Sequence, residues 1–302
     1  CVSLDECKDE FTDQECFDLF LLPEPFNTIA QGAGRHKLMA RYGYRRWYEN
    51  LDADEFLVYD GMDAHPVDDL VNLLEKEGNL RPRGLLVDMY GPGGLREHAA
   101  LDNCESVQQF CGYFDSDGYT ELCSKHRVRC MGGIRGRMYR QMGYTEYTPE
   151  LTKYALFFLT EEDMLIGAHQ MFPAWKNFLS ERIIGLLHYK YSKFDMRKIQ
   201  DALARDVYWN GSEEYQRYAR WFKENPERSF LYEGSVKYDS PGTLVEQGLI
   251  HPIDWRTGST HMLDWRKMAD WNVALKRERM KYMLKDYLKF GWRKINFKCQ
   301  AE

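Results

Sequence analysis

Three carboxylates occupy four consecutive positions, Asp52-Ala53-Asp54-Glu55, inside the otherwise greasy stretch WYENLDADEFLVYD (47–60). Two aspartates one residue apart at the end of a strand point the same way along a pleat of period two. They could share one hard divalent cation. Magnesium or manganese takes oxygen ligands, commonly one or two protein carboxylates, and completes its shell with substrate phosphate and water. The expected chemistry is therefore a Mg²⁺ or Mn²⁺ ion held by Asp52 and Asp54 against a diphosphate. Asp-x-Asp alone is a weak signal, so the elements around it carry the weight.

Those elements read in order. NTIAQGAGRHKLMARYG (27–43) is a loop entering a helix, and RRWYENLDADEFLVY a strand that carries the acids. Asp63-Ala64-His65-Pro66 opens a helix with Pro66 in its first turn. Val67, Leu70, Val71 and Leu74 share one face of that helix and Gly78 stops it. GLLVDMYG (84–91) is a short apolar strand, GGIRGRMYR (132–140) a turn followed by a strand, and IIGLLHYKY the last apolar strand. Strand, helix, strand within a short span is the grammar of a mainly parallel sheet flanked by helices, which gathers ligands at the carboxyl ends of its strands. From Lys193 onward helical patterns take over: FDMRKIQDALARDVYW, then SEEYQRYARWFKEN with Ser212 as its N-cap, then a long segment from about Asp264 to Phe290. The expected organisation is an α/β domain over residues 1–192 and a helical C-terminal extension over 193–302.

The wider sequence narrows the classes. The chain has 302 residues, 44% hydrophobic and 29% charged, with a net charge of −6. That suits a globular protein with a sizeable core, and no apolar run approaches the ~20 residues of a membrane span. The opening CVSLDECKDEFTDQECF has neither a basic leader nor an apolar h-region, which points to the cytoplasm. It also starts without Met on what reads as a strand end, so N-terminal strands are expected to be missing. Between Arg266 and Lys298 eleven Lys/Arg stand against three Asp/Glu. That basic tail, interleaved with Trp271, Leu275, Met283, Tyr287 and Leu288, reads as a helix packed on the domain, or as a segment (264–298) lying peripherally on an anionic membrane. Nucleic acid is not expected as a partner: the chain is acidic and lacks a groove-reading motif. Cys104, Cys111, Cys123 and Cys130 are spaced C-x6-C-x11-C-x6-C, without the short knuckle of a zinc site, and read as scattered reduced thiols.

The ordered series of motifs resembles the bacterial family 2-type glycosyltransferases of GT-A fold, whose members carry a W-x-x-x-x-DADE-hydrophobic-Y segment. Beyond Trp47 and Asp52-Ala53-Asp54-Glu55, the resemblance runs through Ala30-Gln31-Gly32, Arg41-Tyr42-Gly43, Asp88-Met89-Tyr90, Gly132-Gly133-Ile134-Arg135, Leu151-Thr152-Lys153 and Leu186-Leu187-His188-Tyr189-Lys190. It covers roughly residues 1–250. It implies a metal-dependent inverting transfer of a sugar from a UDP- or GDP-linked donor to a saccharide or glycan acceptor. Asp52 and Asp54 would hold the metal, with His188 closing its shell, and an imidazole suits Mn²⁺ better than Mg²⁺. Gly132, Gly133 and Arg135 would approach and clamp the diphosphate, with Gly32 and Lys153 as weaker additions. The general base would be Asp115, with Asp88 and Glu55 as alternatives; Asp117, in the same turn as Asp115, is a further candidate. The opening departs from the family: the first strand and its small-residue turn are not recognisable, which bears on donor binding. Two rival readings remain. One is a non-catalytic remnant binding carbohydrate or a membrane surface. The other is an Asp-x-Asp phosphoryl-transfer hydrolase, against which stands the continuation Glu55-Phe56-Leu57 where a small exposed turn would follow a nucleophile.

Overall fold

The computed structural model describes residues 28–256 except 102, 146, 147, 167, 168, 181 and 206–208. The expected basic tail and the chain's opening lie outside the described residues. In chain order the elements are α1 (Thr28–Tyr42), β1 (Arg46–Glu49), β2 (Glu55–Val58), α2 (Val67–Lys76), β3 (Arg83–Asp88), α3 (Leu95–His98), α4 (Cys104–Phe110) and β4 (Tyr113–Asp115). Then come β5 (Thr120–Cys123), β6 (Val128–Met131), α5 (Gly133–Gln141), β7 (Thr152–Lys153), β8 (Leu156–Leu159), β9 (Met164–Ile166) and β10 (Gln170–Phe172). A 3-10 turn (Ala174–Phe178) leads to β11 (Ile183–His188), α6 (Lys193–Arg205), α7 (Trp209–Glu224), β12 (Ser235–Lys237) and α8 (Pro241–Glu246).

The fold is mixed α/β, as expected, but its central sheet is not mainly parallel. Its order is β2-β11-β3-β7, with a parallel pair only between β11 and β3; β2 and β7 run antiparallel to their neighbours. The parallel pair forms because both strands are unbroken apolar runs, GLLV in β3 and IIGLL in β11, buried along nearly their whole length. Among the described residues there are four two-stranded sheets besides it: β1-β8, β9-β10, β4-β12 and β5-β6.

Helix α2 forms where expected. Asp68 and Asp69 sit at its positive end and Lys76 at its negative end, while Leu70, Leu73 and Leu74 are buried. Pro66 is its N-cap rather than a first-turn residue, and Val67 is exposed. Two other readings are corrected. Residues 133–140 are helical, since α5 runs Gly133–Gln141 with Gly132 as its N-cap, and the strand lies before the glycines as β6. Ser212 is not an N-cap, because α7 begins at Trp209 and Ser212 lies within it at φ 56°.

Residues 235–253, within the expected helical extension, return to the first part of the chain. Strand β12 pairs with β4, and Leu244, Leu249 and Ile250 pack with Val58, Leu85, Val87 and Leu186 in the main core. A second, aromatic core joins α5 to α7 through Tyr139, Tyr218, Trp221 and Phe222, with Tyr90, Tyr191 and Phe230 closing it. Helix α7 is thereby set against the carboxyl end of the central sheet. No helix among the described residues is long and apolar enough to cross a membrane.

Candidate functional site

The acid cluster does not lie on one continuous strand. After β1 the chain turns at 51–54, closed by the Glu55 amide donating to the Asp52 carbonyl (3.1 Å), and β2 begins only at Glu55. The Asp52 amide donates back to Glu55 Oε2 at 3.0 Å. The turn breaks the pleat, so the two aspartates face different partners. Asp52 accepts from Arg35 of α1 at 2.5 Å and from Lys153 of β7 at 3.0 Å. Asp54 lies with Oδ2 3.4 Å from His188 Nε2, and its carbonyl accepts the Tyr189 amide at 2.9 Å.

The register of the sheet builds the rest. His188, the last residue of β11, is opposite Glu55 on one side and Asp88 on the other. A carboxylate, an imidazole and a second carboxylate thus form one row across three strands, at the carboxyl ends of the parallel pair. Arg135, in the first turn of α5, grips Asp88 with two bonds of 2.7 Å. His188 Nδ1 lies 2.5 Å from Asp88 Oδ1 and 2.8 Å from Arg135 Nη2. An ionised carboxylate only accepts, so Nδ1 bonds Asp88 as a donor, and Arg135 and His188 then share Asp88 Oδ1 as acceptor. On the opposite side of the ring Nε2 faces Asp54.

Electrostatics follow from burial and pairing. Burial alone would raise Asp88, yet Arg135 and His188 hold it well below the usual carboxylate range. Burial likewise works against charge on Asp52, and Lys153 and Arg35 hold it well below that range. For His188 burial favours the neutral ring, but Asp54 and Asp88 overcome it and raise the imidazole. Lys153 is wholly buried and also ion-paired with Glu55.

Several expected site residues are therefore occupied by one another. Arg135 clamps Asp88 instead of facing outward for a phosphate, and Lys153 binds Asp52 and Glu55 beneath the turn. Gly32 is buried within α1, three positions before Arg35. Asp115 has 1% of its side chain exposed and accepts two bonds from Arg137 (2.7 and 2.9 Å) and one from Tyr90 (2.5 Å). Burial raises its carboxyl in spite of Arg137. Asp117 is exposed and accepts from Tyr232 at 2.5 Å. Gly132 and Gly133, at φ 136° and 55°, let the chain enter α5 against the 118–119 turn; a Cβ on Gly132 would lie 2.3 Å from the Gly118 carbonyl oxygen.

A divalent ion finds two adjacent donors here, the Asp54 carboxylate and His188 Nε2. Asp88 fixes the ring from behind, in the way outer carboxylates orient metal-bound histidines. Among the described residues no group of three or more His, Cys, Asp or Glu side chains is arranged to hold a metal. Further ligands would have to come from substrate phosphate and water, the usual shell of such ions. Cys111, just after α4, Cys123 of β5 and Cys130 of β6 are buried. A concavity of about 330 Å³ between Gln141, Tyr144, Arg217 and Trp221 lies at the far end of α5 from Arg135 and touches none of these groups.

Two groups at this end of the sheet carried no signal in the sequence. Arg35 sits on a helix with no other charged partner pattern. Glu214 lies in α7, 3.5 Å from Lys190, which follows His188 by two residues. No family model, curated protein or solved structure matches the chain.

Proposed function

We propose that this protein is a metal-dependent inverting glycosyltransferase, with a core similar to the GT-A fold, that moves a sugar from a UDP- or GDP-linked donor to a saccharide acceptor. The observation that carries the reading is the Asp54–His188 pair, held side by side at the carboxyl ends of β3 and β11 with His188 tied from behind to buried Asp88. It supports the reading because that is where α/β sheets gather ligands, and because a mixed N/O donor pair suits Mn²⁺.

In this mechanism Asp54 and His188 would hold the ion, and the chemistry it would supply is neutralisation of charge on a departing diphosphate. Asp52, 34% exposed at its side chain, would add a further carboxylate once a diphosphate drew Arg35 away from it. Arg35 then offers its guanidinium to the diphosphate. Asp88, Arg135 and Lys153 act underneath, keeping the donors in place without reorganisation during reaction. A phosphoaspartyl hydrolase would need Asp52 free for attack, and both its oxygens are engaged by cations.

Calorimetric titration of UDP and GDP with and without Mn²⁺ tests the reading. Binding is expected only with metal, and is lost in Asp52→Ala/Asp54→Ala. Nucleotide binding indifferent to both metal and substitution, or none at all, would sink it.

A further inference from the structure

Inverting transfer needs a carboxylate that is ionised, reachable and close to the diphosphate site. Three of the acids named from sequence fail the second requirement, and the fourth, Asp117, is exposed but already accepts a hydrogen bond from Tyr232. Asp88, Asp115 and Glu55 have 2%, 1% and 3% of their side chains exposed, and each is engaged by a buried or half-buried cation. Glu214 is more exposed and more loosely held. Its side chain is 35% exposed, and its ion pair with Lys190 is long, at 3.5 Å. Lys190 is anchored next to the site, its amide donating to the His188 carbonyl at 3.1 Å, and its ammonium lies 4.6 Å above the Tyr218 ring. Tyr218 is one turn along α7 from Glu214 and buried in the aromatic core that docks this helix on α5. The docking is what brings α7 to the strand ends.

We propose that Glu214 is the general base of the transfer reaction proposed above, an assignment that rests on that reading. Its carboxylate takes the proton of the acceptor hydroxyl as that oxygen bonds to the anomeric carbon. The bond from that carbon to the diphosphate oxygen breaks, and its electron pair leaves on the nucleoside diphosphate. The groups facing Glu214 are Lys190 beyond β11, Arg135 of α5, His169 before β10 and Tyr218 of its own helix. Burial would raise its carboxyl, but Lys190 and Arg135 outweigh it and hold the group below the usual range, so it is ionised at neutral pH.

The test compares wild type with Glu214→Gln and Glu214→Asp in the full chain. Calorimetry reads UDP and GDP binding with Mn²⁺. A coupled assay reads nucleoside diphosphate release from UDP-glucose, UDP-galactose, UDP-N-acetylglucosamine and GDP-mannose, with water or free monosaccharides as acceptor. Glu214→Gln is expected to bind nucleotide within about twofold of wild type and to lose turnover by ~10²–10⁴-fold, together with the acidic limb of the pH profile. Glu214→Asp is expected to recover part of the rate. Wild-type turnover in Glu214→Gln overturns the assignment, as does a parallel loss of nucleotide affinity, which would make Glu214 a binding residue. If nucleotide does not bind to wild type, the glycosyltransferase reading itself has failed.

Discussion

Asp88 is the residue on which the local charge balance turns. Arg135 and His188 both depend on it, and none of the three is open to bulk water. Removing one partner of a buried ion pair leaves an uncompensated charge and costs about 3–5 kcal/mol, whereas replacing both with apolar groups is often close to neutral. Arg135→Met is therefore expected to lower the urea midpoint sharply, and Asp88→Leu/Arg135→Met to recover much of the loss. Equal destabilisation by single and double variants would contradict this account. The residue types of this cluster were legible in the sequence, in DADE, DMY, GGIR, LTK and LLHYK. Their partnerships were not. Asp88 meets Arg135 across 47 positions and His188 across 100, and Asp52 meets Lys153 across 101. Carboxylates that look poised for a metal on one strand can equally be neutralised by cations from distant ones.

Elements were legible in proportion to how far their apolar pattern was unbroken. The β3 and β11 runs and the Leu70/Leu73/Leu74 face of α2 announce themselves, because burial dictates continuous or helical spacing there. Residues 132–140 were misread because the two glycines suggested a turn before a strand. The overlooked signal was Ile134 and Met138, four apart and both buried, the spacing of a helix face. The glycines serve to begin that helix. Gly132 has a φ that L side chains rarely adopt and no room for a methyl group beside Gly118 and Tyr119. Gly132→Ala should then cost about 1–3 kcal/mol in the denaturation midpoint. Because α5 carries both Arg135 and Arg137, it should also weaken Mn²⁺-dependent UDP binding. A stable variant with unchanged binding would show that the helix start has more freedom than the packing implies.

Across the whole molecule, the reach of residues 235–253 back to the central sheet was illegible, because pairing of β12 with β4 is a tertiary event between short strands. One junction of that return is sensitive to pH. His251 Nδ1 accepts the Ile183 amide at 3.3 Å at the start of β11, while the His251 amide donates to the Ile183 carbonyl at 3.1 Å. Burial, with Arg83 and Arg182 nearby, pushes this imidazole down to about 4. A depressed value means the neutral ring is favoured in the folded chain. Its contribution is fully present above the unfolded value of ~6.5 and is lost as pH falls toward about 4, with a slope of at most ~1.4 kcal/mol per pH unit. Unfolding midpoints measured between pH 7 and 4 should fall more steeply for wild type than for His251→Gln. Parallel curves would remove His251 from the acid sensitivity of the fold.

The row Glu55–His188–Asp88 also constrains how the chain can assemble. A strand that slips by one residue turns every side chain to the opposite face. If edge strand β2 paired one position out, Phe56 would stand opposite His188, and Glu55 would leave Lys153 as a buried ammonium lacking one of its two counter-charges. The apolar residues of β2 and β11 are similar enough to tolerate such a slip, but the charges are not. The ionic row therefore serves as a proofreading mark for strand alignment, so that a chain with its strands misaligned is penalised at the place where the site must form.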